Sequence, residues 1–191
     1  DFKLAKKLDL IISAHVWGAP NRMNKDGYQK LAKMELLGPN HNLVHGVYLS
    51  TSELKLIVDS GASITVTPEV ELQMSHGVPL TGRLRELGVQ PSIGVDVESN
   101  ISGDMFTIMR MTMQTQRNLD NQRIAHKTKM PAQKLSIKPK EALAWATIES
   151  AKALRLDKKI GSLKPGKQAD LILINKNDLN LFPVNNAVEA V

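Results

Sequence analysis

Cysteine is absent from the 191 residues, which removes disulfides, thiolate metal ligands and cysteine nucleophiles together and fits a reducing, cytoplasmic setting. Any metal must therefore rest on His, Asp or Glu. Aromatic residues make up only 4% of the chain, and its 25 Lys and Arg are dispersed apart from a diffuse set in "RIAHKTKMPAQKLSIKPK". The formal charge of +6 thus comes without the interleaved basic and aromatic surface that nucleic acid needs, and no nucleic-acid partner is expected. No apolar run approaches membrane-spanning length, and the opening "DFKLAKKLDLIISAHVWG" lacks the cleavage-site pattern of a signal peptide. No membrane partner is expected either. A glycine-rich phosphate loop is also missing after every strand pattern, which weighs against a nucleotide-binding sheet.

What remains is 42% hydrophobic and 23% charged, enough for one sizeable core. Helical and strand periods alternate along it. "FKLAKKL" has helical spacing and "DLIISAHVW" reads as a buried strand. "DGYQKLAKMELLG" is amphipathic with Gly38 as its stop, "HNLVHGVYL" is a strand, and "STSELKLIVDSG" is a helix with a Ser/Thr start. "ASITVTP" is the third strand, "LTGRLRELG" a short helix, and "VQPSIGVDV" the fourth strand.

Such alternation predicts βα units and a parallel sheet, open or closed into a barrel. The polar residues favour the barrel. His15, His45, Pro68 with Glu69, and Asp96 each fall at the C-terminal end of one of the four strands, the face on which barrels build their sites. Beyond Asp96, "GDMFTIMRMTMQTQRNLDNQRI" reads as a long helix packing a Met-rich face, "RIAHKTKMPAQKLSIKP" as a loop or lid, and "SIKPKEALAWATIESAKALRL" as a helix with Trp145 in its core. A Pro-Gly turn and the alternating strand "ADLILI" follow. His41 and His76 read as loop residues, His126 as solvent-exposed, and Asp104 as the cap of the Met-rich helix.

The stretch "ALAWATIESAKALRLDKKIGSLKPGKQADLILIN" closely resembles the C-terminal signature of the amidohydrolase superfamily, in the branch of cytosine, guanine and triazine aminohydrolases. The order of the strand-end residues agrees with it, and the likeness is weakest from Asn118 to Leu135. That family is an eight-stranded barrel with a companion β-sandwich made from both termini. The resemblance therefore implies an α/β chain that is the C-terminal half of a (β/α)8 TIM-type barrel, strands five to eight, over 1–160. Residues 161–191 would be the returning segment of the sandwich.

Carried over residue by residue, the resemblance implies that Asp96 is the metal-bound aspartate that also takes a proton from a metal-activated water. His15 resembles the strand-five metal ligand and His45 its strand-six counterpart, which binds metal or contacts substrate or the attacking water. One divalent metal is implied, Zn²⁺ or Fe²⁺, to which imidazole and carboxylate are suited. Trp17 either lines the substrate pocket or packs. Two departures stand out. The family's HxH pair is absent, as the first half of the barrel would be, and the strand-five glutamate of deaminating members is here Gly18. Glu69 or Glu71 in "TPEVELQMSHG" is then the candidate for substrate binding in its place.

Two functions of different class follow. One is the C-terminal part of a metal-dependent hydrolase acting on C–N bonds of cyclic amines, amides or related ring compounds. It would take a small-molecule substrate, require a missing N-terminal barrel half, and be inactive alone. The other is a non-catalytic half-barrel module that self-associates as a homo-oligomer or binds a protein partner through open strand edges.

Overall fold

The computed structural model describes residues 1–19 and 21–190. Helix α1 (Phe2–Leu8) leads into strand β1 (Ile12–Val16), and α2 (Gly27–Lys33), β2 (His41–His45), α3 (Thr51–Asp59) and β3 (Ser63–Val66) follow. Next come α4 (Pro68–Gln73), α5 (Thr81–Glu86) and β4 (Ser92–Ile93). Beyond the sheet lie the long α6 (Met105–Thr128), a helical run from α7 (Pro139–Ala144) to α8 (Ser150–Ala153), and the short α9 (Ala187–Ala190). The strands form one parallel sheet in the order β1-β2-β3-β4. Each crossover carries helix, because parallel neighbours cannot be joined by a tight turn.

Strand alternation divides the sheet into two unlike faces. On one, Leu43, Ile64, Val66 and Ile93 pack against Leu54 and Ile57 of α3, Leu84 of α5, Ile108 of α6 and Trp145, all buried. At ~1.5–3 kcal/mol for each fully buried large apolar side chain, this layer supplies most of the fold's cohesion. The other face is polar and stitched across all four strands. Asn42 Nδ2 donates to Ser13 Oγ (3.3 Å), Thr65 Oγ1 donates to Asn42 Oδ1 (2.8 Å), and Thr65 and Ser92 hydroxyls lie 2.5 Å apart.

Helix boundaries follow their caps. Ser50 and Glu53 form a reciprocal capping box at the start of α3, and Asp104 Oδ1 accepts from Thr107 N (2.8 Å) at the start of α6, the cap expected of it. That bond holds the Asp104 carboxyl below its ordinary range. Three expectations about element extent need correction. Helix α2 ends at Lys33, not near Gly38, because Glu35 takes the left-handed conformation (φ 53°) and Leu36 N bonds back to Leu31 O (2.8 Å), a Schellman closure without glycine. Helix α6 runs through Arg123 to Thr128, into the expected loop, and stops only at left-handed Lys129. The segment "ADLILI" has no strand partner among the described residues, and Ile172 and Leu173 are exposed. An extended segment forms a strand only where a neighbour takes its N–H and C=O groups.

Between α7 and α8 lies a π-helical turn, Trp145–Glu149, that periodicity did not announce. Trp145 is fully buried as expected, its indole N–H donating to Gln90 Oε1 (2.6 Å). Among the described residues no helix is long and apolar enough to cross a membrane.

His41 is not a loop residue but the buried first residue of β2, where Nδ1 accepts from Gly38 N (2.9 Å). Burial lowers its pKa, so the folded state holds the neutral ring and the unfolded chain binds a proton more readily. Stability is then full above the ordinary histidine range and falls as pH drops through it. Melting temperature between pH 7.5 and 5.5 should fall more steeply for the wild type than for His41→Asn, whose amide oxygen can accept the same bond.

Candidate metal centre

The ends of three strands converge on one point. His15 is the penultimate residue of β1, His45 the last of β2, and Asp96 lies three residues beyond β4. His45 and Asp96 both adopt the left-handed conformation (φ 71° each), uncommon outside glycine though least so for His, Asp and Asn. Left-handed geometry at a strand end swings the side chain out of the alternation, here toward a common centre. His15 Nδ1 lies 3.2 Å from His45 Nε2, Asp96 Oδ2 lies 3.5 Å from the same nitrogen, and the three donors are all within 4.8 Å of one another.

These separations suit a divalent ion. Bonds of about 2.0–2.1 Å arranged tetrahedrally place neighbouring donor atoms roughly 3.3 Å apart. The rear of His45 is also prepared. Its Nδ1 lies 3.1 Å from Glu71 Oε1 and 3.0 Å from Thr67 Oγ1, and Thr67 N donates to the same carboxylate oxygen (3.2 Å). An ionised carboxylate only accepts, so Nδ1 carries the proton and Nε2 presents its lone pair to His15 and Asp96. This carboxylate–histidine arrangement is how proteins fix the tautomer of a metal ligand. Pro68 makes it possible by starting α4 directly after β3, which brings Glu71 in the first turn over the end of β2.

The two candidate substrate carboxylates turn out otherwise than expected. Glu71 is fully buried behind His45, where no substrate can reach it. Glu69 accepts from Ser102 N (3.1 Å) and Ser102 Oγ (2.6 Å), tying α4 to the segment before α6. Trp17 is 43% exposed, its ring 6.3 Å from that of His45. Gly18 has φ +75°, and a Cβ there would lie 2.7 Å from Leu49 N. No side chain of any kind fits that backbone, so the strand-five glutamate is excluded sterically as well as by sequence. His76, expected only in a loop, does follow α4 in one. Its ring stands 4.2 Å from Trp17 and 5.7 Å from His45, a nearness that no periodicity could signal.

The model of the amidohydrolase family matches residues 2–191. This chain belongs to the amidohydrolase family. It is 38% identical over 161 residues to a 5-methylthioadenosine/S-adenosylhomocysteine deaminase of Teredinibacter turnerae, covering 84% of this chain and 34% of that protein. It is 29% identical over 198 residues to a 5'-deoxyadenosine deaminase of Methanosphaera stadtmanae, covering 99% and 43%. Among solved structures, an adenosine deaminase from Xanthomonas campestris with bound zinc superposes with a TM-score of 0.80 at 26% identity, over 98% of this chain and 42% of that one. A triazine hydrolase from Arthrobacter aurescens, 19% identical with a TM-score of 0.81, has the same fold over 99% of this chain and 41% of its own. The deaminase relatives agree with the family that the C-terminal signature pointed to, the triazine hydrolase shares the fold, and the chain spans less than half the length of each.

Glu71→Gln keeps the volume of the buried side chain and removes its charge. Zinc affinity measured by calorimetric titration should fall about 10–100-fold, with the melting temperature of the metal-free protein changed far less than the affinity.

Proposed function

We propose that this amidohydrolase chain is the catalytic C-terminal part of a metal-dependent hydrolase that removes an amino group from a nitrogen heterocycle. The observation that carries this is the convergence of His15, His45 and Asp96 within 4.8 Å, with Glu71 orienting His45 from behind. Deaminase relatives support the C–N bond as the target. Strands β1 to β4 then correspond to barrel strands five to eight, and residues 161–191 to a returning sandwich segment. The alternative of a non-catalytic module that self-associates has the open edge of β1 in its favour, but it leaves the convergence of His15, His45 and Asp96 without a task.

Two imidazole nitrogens and a carboxylate oxygen suit Zn²⁺ or Fe²⁺, and the zinc-bound adenosine deaminase favours zinc. The chemistry a divalent cation supplies at such a site is Lewis acidity that brings water toward a neutral pKa. This chain's residues do the rest. His15, His45 and Asp96 would hold the cation, and the Glu71 contact keeps the His45 lone pair directed forward. Asp96, with its side chain partly open to solvent, accepts one proton of the attacking water and delivers it to the departing amine, which leaves as ammonia, and the second water proton passes from oxygen to the ring nitrogen as the carbonyl product forms.

Three ligands without further partners make a weak site. The 191-residue chain alone should bind zinc orders of magnitude less tightly than a polypeptide that joins it to an N-terminal barrel half, and should release no ammonia from adenosine. In the joined polypeptide Asp96→Asn should lower ammonia release by at least 10²–10⁴-fold, since an amide cannot accept the proton. Near-normal turnover in that variant would remove Asp96 from the mechanism. The open edge of β1 and the exposed "ADLILI" segment further predict that the isolated chain self-associates. A cooperatively unfolding monomer at micromolar concentration by light scattering would contradict that.

A further inference from the structure

Four aromatic rings surround the candidate metal centre, and two of them have no structural task. Trp17, on the loop after β1, is 43% exposed. His76, on the loop after α4, leans against it with ring centroids 4.2 Å apart at 57°. Both stand close to His45, at 6.3 and 5.7 Å. Trp17 thus presents an open aromatic face beside the polar cluster.

Glu69 is bound to Ser102, Glu71 is sealed behind His45, and position 18 admits no side chain. Two atoms nearby, Glu71 Oε2 and His76 Nδ1, are enclosed and find no hydrogen-bond partner among the described residues, and of the two side chains only His76 borders Trp17. A buried ring nitrogen without a partner bears its full desolvation penalty until one arrives.

We propose that Trp17 and His76 form the substrate-recognition wall. Trp17 stacks against one face of a planar amino-substituted nitrogen heterocycle, and His76 hydrogen-bonds a polar atom on the ring's edge through Nε2, the ring nitrogen that is not enclosed, making it a specificity-determining residue. The proposal rests on the hydrolase reading above. A neutral imidazole offers one donor and one acceptor, the complement of a heterocycle edge that alternates amino groups with ring nitrogens. The wall therefore selects flat rings over aliphatic amines.

Tryptophan fluorescence of the 191-residue chain tests this, because Trp145 is fully buried and the ligand-sensitive emission belongs to Trp17. Adenosine should quench it saturably and cyclohexylamine should not. Trp17→Phe should abolish the signal. His76→Ala should weaken adenosine binding about 10-fold, and His76→Asn, which keeps a donor and an acceptor, should stay within about 3-fold of the wild type. Adenosine binding unchanged in His76→Ala, equal quenching by cyclohexylamine, or no quenching at all would overturn the proposal. Zinc titration of the same protein is read separately. Zinc binding that survives without adenosine quenching sinks the wall and spares the metal centre, whereas quenching without any zinc binding does the reverse.

Discussion

The contact between Glu71 Oε1 and His45 Nδ1, 3.1 Å long with neither group open to solvent, constrains everything around it. A buried imidazole is well held only when its tautomer is settled. The carboxylate oxygen Oε1 settles that tautomer, with Thr67 N adding a bond to the same oxygen, while Oε2 has no hydrogen-bond partner among the described residues. The solution has a direction. With its proton held toward Glu71, His45 must present Nε2 toward His15 and Asp96, and three polar groups that would otherwise seek water are left facing a common point.

The sheet makes this convergence possible. Its helix-covered face is filled by aliphatic side chains from α3, α5 and α6, while hydroxyls and the Asn42 amide link the strands on the other face. The strand ends are thus fixed relative to one another by both a packed layer and a hydrogen-bonded one. Left-handed backbone at His45 and Asp96 then aims the side chains. The strain this entails is tolerated on a scaffold held so firmly, as is common where function sets the geometry.

Much of this was legible in the residues. The alternation of periods announced four parallel strands, and the strand-end places of His15, His45 and Asp96 announced their meeting. Local chemistry hid the rest. Gly38 read as a helix stop, but Glu35 took the left-handed position three residues earlier, which few non-glycine residues do. "ADLILI" alternates as a strand does, yet pattern says nothing about whether a partner is present. Glu71 and Glu69 stand two apart in sequence and face opposite tasks, because a helix starting at Pro68 turns one toward β2 and the other toward Ser102. His76 belongs to no periodic element, so only the folded loop reveals where its ring lies.

The central claim is that His15, His45 and Asp96 hold one cation together. Zinc-edge X-ray absorption on the zinc-loaded protein tests it most directly. The account predicts a low-coordinate zinc with two imidazole nitrogens and a carboxylate oxygen at about 2.0–2.2 Å, and loss of the imidazole scattering pattern when His15 and His45 are both replaced by Ala. A zinc environment of oxygen alone, or one unchanged in the double variant, would contradict it.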